Sequence, residues 1–379
     1  MAEIRIFYAT NRNHLGPRWR PRGYGKKFSD DGAENLRFGH VVFEYDPLRA
    51  GEYLNRAAGD DRGDGEGLAE YLAARVKDGG ARITPYRERL DPRRSERVQK
   101  NARLGSQAMF AELRQAMRGR SDVLIYIHGF NVAWHEAVGT AAALQLMLNR
   151  EGVGDPEQSV LVVLFSWPSD GLALPLVSYK SDRSEAKASG YAVGRGFLKL
   201  RDFLAEMQDR SGGEAPCGRS LHLLCHSMGN YVLQNALARM ETFTPYGVLP
   251  RLFEHIFLCA PDVNDDVFEP GKPMARLHQL CRQATVYHNR GDVAMYVSDF
   301  TKGNPDRLGT AGAARPAQIH HKIQQVDCTP LVTGLVEHSY YLWGPVNSDI
   351  RQSIDGLAAG DRRRRRVREG ELPNVWRLV

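Results

Sequence analysis

Short apolar runs recur along the middle of the chain, each separated from the next by enough residues for a helix. Asp122–Ile127 (DVLIYI), Ser159–Phe165 (SVLVVLF), Leu221–Cys225 (LHLLC) and Ile256–Ala260 (IFLCA) are nearly continuous in aliphatic residues. Ala284–His288 (ATVYH) and Ile323–Cys328 extend the series less purely. Runs without polar alternation suit strands covered on both faces, as in a parallel sheet. Between them the period changes. Ala137, Ala141, Leu144 and Leu148 share one helical face, as do Val193, Phe197, Leu200, Leu204 and Met207, and again Val232, Leu233, Ala236, Leu237 and Met240. Strands alternating with helices of this length predict right-handed crossovers and a mostly parallel, doubly wound α/β sheet flanked by helices.

The first third is less regular. Ile4–Tyr8 and Phe38–Tyr45 alternate like strands, a further strand is expected around Arg82–Leu90, and an amphipathic helix covers about Ser106–Met117. These strands are expected to edge the same sheet, so residues 1–360 read as a single domain. Gly51–Gly67, rich in Gly, Asp and Arg, reads as a mobile loop.

Composition changes this picture little. In 379 residues, 42% hydrophobic and 25% charged is the balance of a globular enzyme. No run of about eighteen apolar residues predicts a membrane-spanning helix, and MAEIRIFYATNR lacks the apolar core of a signal peptide. The five cysteines are scattered, three of them in apolar runs, and read as buried thiols rather than disulfides or a metal site; the cytoplasm is the expected compartment. Charge is uneven. Of the net +6, residues 361–379 carry +4, with Arg362 to Arg366 consecutive. This reads as a solvated basic tail capable of weak contact with an anionic surface. No aromatic residue interleaves the run, so no specific nucleic-acid partner is expected.

Candidate chemistry lies where the strands end. In LHLLCHSMGNYVLQNAL an apolar run meets Cys225-His226-Ser227-Met228-Gly229, and a helical period starts at once. A nucleophile elbow needs this context, with small residues two before and two after the nucleophile. Gly229 meets the second requirement, and Cys225 stands where glycine is usual. Ser227 is the expected nucleophile, and the Met228 N–H, at a helix start, points to a developing oxyanion. A second donor is expected from Phe130, in the His128-Gly129-Phe130-Asn131 turn after the strand DVLIYI. His128 reads as a buried hydrogen-bonding residue, and His226 as pointing away from the nucleophile.

The acid and base should follow in that order. Asp292, after ATVYHNRG, is favoured as the acid; Asp262, after IFLCA, is the alternative and could instead cap a helix. His338 follows the last strand-like run and is the expected base, whereas His320 and His321 precede that run and His278 and His288 fall within elements.

The stretches IFYATNRN with LRFGHVVFEY, YIHGFN, LFSWPSDG with YKSDRSEAKASG, LCHSMGN, APDVNDDVF, VYHNRGDVAMYVSD and EHSYYL run in order from Ile6 to Leu342. Together they resemble a bacterial family of α/β hydrolases whose function has long been unassigned. The resemblance implies the α/β-hydrolase fold, a Ser227–His338–Asp292 triad and hydrolysis, presumed to be of esters, without fixing a substrate. The expected activity is that of a carboxylic ester hydrolase working through an acyl-enzyme on a small-molecule acyl ester, with no metal or organic cofactor. An acyltransferase or amidase would use the same residues, and a catalytically dead hydrolase would act as a binding module. Residues 168–189 read as a cap or lid segment whose Leu172, Leu174, Pro175, Leu176 and Val177 could wall an acyl site.

Overall fold

A computed structural model describes residues 1–88, 104–119, 121–169, 175–210, 219–295, 306–332 and 338–379. The chain begins with β1 (Ala2–Thr10), a hairpin of β2 (Arg12–Leu15) and β3 (Gly23–Phe28), and β4 (Arg37–Tyr45). α1 (Pro47–Leu54), a small hairpin of β5 (Ala57–Ala58) and β6 (Asp61–Arg62), α2 (Gly65–Arg75) and β7 (Arg82–Pro85) follow. The alternating region then runs α3 (Ser106–Arg118), β8 (Ser121–Ile127), α4 (Trp134–Leu148), β9 (Ser159–Ser166), α5 (Pro175–Arg210), β10 (Leu221–His226), α6 (Gly229–Phe243) and β11 (Phe253–Cys259). β12 (Cys281–His288), β13 (Ile323–Asp327), α7 (Gly344–Ile354), β14 (Arg366–Arg368) and β15 (Val375–Leu378) complete it.

Eleven of these strands form one sheet in the order β14-β15-β13-β12-β11-β10-β8-β9-β1-β4-β7. The eight from β15 to β1 are parallel, and antiparallel strands close both edges. This is the doubly wound sheet of the α/β-hydrolase fold. Neighbouring residues explain the unbroken apolar runs. Val123, Val163 and Leu223 pack under α3, α5 and α6, while Leu124, Val162 and Leu224 pack under α2, α4 and α7. Successive strand side chains point to opposite faces, so a strand covered on both must be apolar throughout. From β8 the chain winds outward to β9, then returns to β10 and winds the other way. The crevice at that reversal lies between the ends of β8 and β10, where such sheets place their sites.

Three expectations change. Gly51–Gly67 is largely ordered: it holds the end of α1, the β5–β6 hairpin and the start of α2. Its Asp and Gly residues supply turns and caps; Asp64 caps α2 by accepting the Gly67 N–H at 2.8 Å and pairs with Arg56. The expected lid segment is helical from Pro175 onward, as the first turns of the 36-residue α5. Its apolar wall of Leu172, Leu174 and Pro175–Val177 lies outside the residues or side chains described.

The third change is the basic tail, which is built into the sheet. β15 pairs in parallel with β13, and β14 closes the edge antiparallel to β15. Arg364 and Arg366 are buried against Asp349 of α7, with Nε–Oδ1 distances of 3.0 and 2.8 Å. The Tyr287 hydroxyl donates to the same carboxylate at 2.6 Å. Two of the five consecutive arginines thus share one buried carboxylate inside the protein, while Val375, Trp376 and Leu378 are buried. Among the described residues no helix is long and apolar enough to cross a membrane.

Candidate functional site

Ser227 occupies the turn between β10 and α6 in the left-handed region, at φ 51°. For a residue with a Cβ this conformation is strained and persists only where its surroundings enforce it. Here they do. The Ser227 N–H donates to Cys259 O at 2.9 Å, and its own carbonyl accepts from the N–H groups of Asn230 and Asp262 at 3.0 and 3.2 Å. The buried Asn230 side chain ties the two ends of the turn, donating to Cys225 O (3.0 Å) and Ser227 O (3.1 Å). Gly229 allows the close crossing: a Cβ there would stand 2.6 Å from Ile127 O and 2.8 Å from His128 O. Cys225, at the other small position, is fully buried, and burial pushes its thiol pKa well above the usual value.

The His128–Asn131 turn lies against this elbow. A Cβ on Gly129 would come within 3.0 Å of the Ser227 Cβ. Phe130 follows, partly buried against the core, and Asn131 is left-handed at φ 57°. Met228, fully buried, starts α6, where the first N–H groups of a helix lack intrahelical acceptors.

His128 is enclosed by this turn. Its Nδ1 lies 2.8 Å from Gly129 O and its Nε2 accepts the Trp167 N–H at 3.2 Å, which makes Nδ1 the protonated nitrogen. Trp167 Nε1 donates to His128 O at 2.9 Å, and the two rings stack. Burial, with the Arg12 guanidinium beside it, lowers the His128 pKa to about 3, so the ring stays neutral. Arg12 is itself buried, donating from Nη2 to Val132 O (2.6 Å) and from Nε to Ser166 Oγ (2.8 Å).

His338 Nδ1 lies 2.7 Å from Oδ2 of Asp292, a fully buried carboxylate in the loop after β12. Asp262, the other candidate acid, is also buried but lies 3.5 Å from the Arg307 guanidinium through Oδ1, and its N–H supports the Ser227 turn. His226 departs from expectation. Its ring packs 4.7 Å from the rings of both His338 and Tyr341, and its Nε2 reaches His338 O at 3.2 Å. Burial holds its pKa well below the ordinary value, and a charge on His338 would lower it further. His278, His320 and His321 cluster at the opposite ends of the strands, before β12 and β13 begin.

The structure therefore gathers Ser227, Met228, Phe130, Asp292 and His338 at one end of the parallel sheet. Among the described residues the Ser227 hydroxyl makes no hydrogen bond; in serine enzymes this contact commonly tightens only with substrate in place. Asn230 and Arg12 were not singled out by sequence reasoning, although both lie in quoted stretches, LCHSMGN and IFYATNRN. Among the described residues no cluster of three or more His, Cys, Asp or Glu side chains could hold a metal ion.

Residues 105–350 match the model of a family described as "Alpha/beta hydrolase of unknown function (DUF900)". Sixteen chains among solved structures match. One is lipase B of Aspergillus fumigatus, with 10% identity and a TM-score of 0.33 over 63% of this chain and 53% of the lipase. The match thus spans about half of the lipase's length, and so slight a likeness carries no argument about the reaction. No curated protein matches.

Proposed function

The chain belongs to this DUF900 family of α/β hydrolases, and from that premise we propose that it is a serine hydrolase of carboxylic esters. The observation that carries the reading is Ser227, held left-handed at a strand-to-helix turn, at the same end of the sheet as a histidine hydrogen-bonded to a buried carboxylate. A nucleophile elbow uses such a strained residue, at the junction of strand and helix, to expose its hydroxyl.

In this mechanism Ser227 Oγ attacks the acyl carbonyl as His338 Nε2 takes its proton. Asp292 keeps the His338 proton on Nδ1 and stabilises the imidazolium. The tetrahedral oxyanion is held by the Phe130 and Met228 N–H groups. His338 then protonates the departing alcohol, and a water activated by the same ring releases the acid. Burial first, and then repulsion from a proton on the neighbouring His338 ring, keep His226 neutral during this step.

Fluorophosphonate labelling with peptide mapping, alongside hydrolysis of p-nitrophenyl acyl esters, tests this reading. Ser227→Ala is expected to abolish labelling and lower turnover by about a million-fold, as removal of a triad serine does. An adduct mapped to another serine, or full labelling of the variant, would overturn it. Amide analogues and competing alcohol acceptors in the same assay separate an esterase from an amidase or acyltransferase.

A further inference from the structure

We propose that Asp182, on α5, is a positioning residue that holds the oxyanion turn in its working shape; the proposal rests on the serine-hydrolase reading above. The Asp182 side chain is fully buried, and its Oδ2 accepts hydrogen bonds from two described residues. One comes from Ser169 Oγ at 2.6 Å and the other from the Asn131 backbone N–H at 3.3 Å. Ser169 Oγ in turn accepts the Val132 N–H at 3.3 Å. Carboxylate and hydroxyl thus capture two consecutive amides of the turn, directly after Phe130. From the other side Arg12 Nη2 grips Val132 O at 2.6 Å.

This double hold has a physical reason. Asn131 is left-handed, and such a residue keeps its conformation only when surrounding bonds over-determine it. The Phe130 N–H lies in the Gly129–Phe130 peptide plane, and holding the next two planes fixes the turn that carries it. An oxyanion donor must lie within a few tenths of an ångström of its target, because its contribution is lost as geometry slackens. A carboxylate acceptor strengthens the bonds that it accepts, and the short one here, 2.6 Å from Ser169 Oγ, passes the hold on to Val132. The same stretch of α5 is anchored elsewhere: Ser189 Oγ accepts from Asn11 Nδ2 at 3.0 Å, fixing the helix to the end of β1. The stretch YKSDRSEAKASG, which has no part in the triad chemistry, thereby gains a role.

The test uses full-length protein and two readouts, one independent of turnover. Amide hydrogen exchange over residues 128–133 is expected to show protection in the wild type that is lost in Asp182→Ala. In the same variant kcat on a p-nitrophenyl ester is expected to fall about 10²-fold with KM nearly unchanged, the loss typical of one oxyanion donor. Asp182→Asn keeps an acceptor oxygen and is expected to recover part of both. The pH midpoint of kcat/KM should not move, because the His338–Asp292 pair is untouched. Unchanged exchange in Asp182→Ala would overturn the proposal, as would lost protection with full kcat. Should Asp182→Ala fail to fold, Ser169→Ala is expected to show the same exchange and kcat changes at smaller amplitude, and wild-type behaviour there counts against the proposal. A wild type inert towards fluorophosphonate would overturn the hydrolase reading instead, and exchange alone would then decide whether Asp182 holds the turn.

Discussion

Asp262 and Asp292 each follow a strand of the sheet and each is buried, yet their carboxylates face different partners. Asp292 meets the imidazole of His338, and Asp262 meets the guanidinium of Arg307. Their amides should therefore fail differently. Asp292→Asn is expected to lower kcat by about 10⁴-fold with the fold intact, because an amide there favours the wrong histidine tautomer. Asp262→Asn removes one partner of a buried pair next to the Ser227 turn. Its expected effect is destabilisation, about 3 kcal/mol or more, with a smaller loss of kcat in whatever fraction stays folded. Steady-state kinetics and thermal melts of both variants measure this; a folded Asp262→Asn with the larger kcat loss would reverse the assignment.

The two C-terminal strands behave as part of the core. β15 covers the edge of β13, and its Trp376 and Leu378 pack in the same apolar cluster as Tyr340, Tyr341 and Ile350. Asp349 on α7 receives two buried guanidiniums, and together they hold its carboxyl pKa below the usual value against the opposing effect of burial. Deleting residues 361–379 would uncover the β13 edge and leave Asp349 buried without either arginine. Loss of cooperative melting, or a Tm lower by many degrees, is expected. Asp349→Ala should do the same more mildly, costing about 3–5 kcal/mol because two guanidiniums lose their shared anion. A truncated protein that melts like the full chain would refute this view of the segment.

Across the whole molecule, buried histidines make the fold sensitive to acid. Burial lowers the pKa of His128 to about 3 and of His255 to about 4, and lowers those of His222, His226 and His288 as well. Below the unfolded value near 6.5 the unfolded chain takes up protons that the folded chain refuses. Stability is therefore fully present above about pH 6.5 and is lost as pH falls towards 4, by about 1.4 kcal/mol per pH unit for each such group. His222 offers a clean check. It is fully buried and stacked on His255, and among the described residues neither ring nitrogen has a hydrogen-bond partner. His222→Leu is expected to raise Tm at pH 7, by removing an unsatisfied polar ring, and to flatten the fall in Tm between pH 6.5 and 4.5. An unchanged slope would contradict it.

The features legible in the amino-acid order alone were those set by local physics. A strand buried on both faces is apolar along most of its length, so β8 to β11 contain nearly unbroken apolar runs. A strand that turns at once into a helix leaves the small residues and the serine of Cys225–Gly229 as its trace. Tertiary structure decided what depends on pairing between distant residues. Asp292 and His338 are 46 positions apart, Asp182 and Asn131 are 51, and Arg12 and Val132 are 120. No periodicity links such pairs, so the contact of Asp292 with His338 and the supports of the 128–132 turn had to come from the folded chain. The arginine run was misread for the same reason. Consecutive charges predict solvent exposure unless a counter-charge is buried with them. Asp349, on a different element, became that counter-charge only when α7 and β14 met.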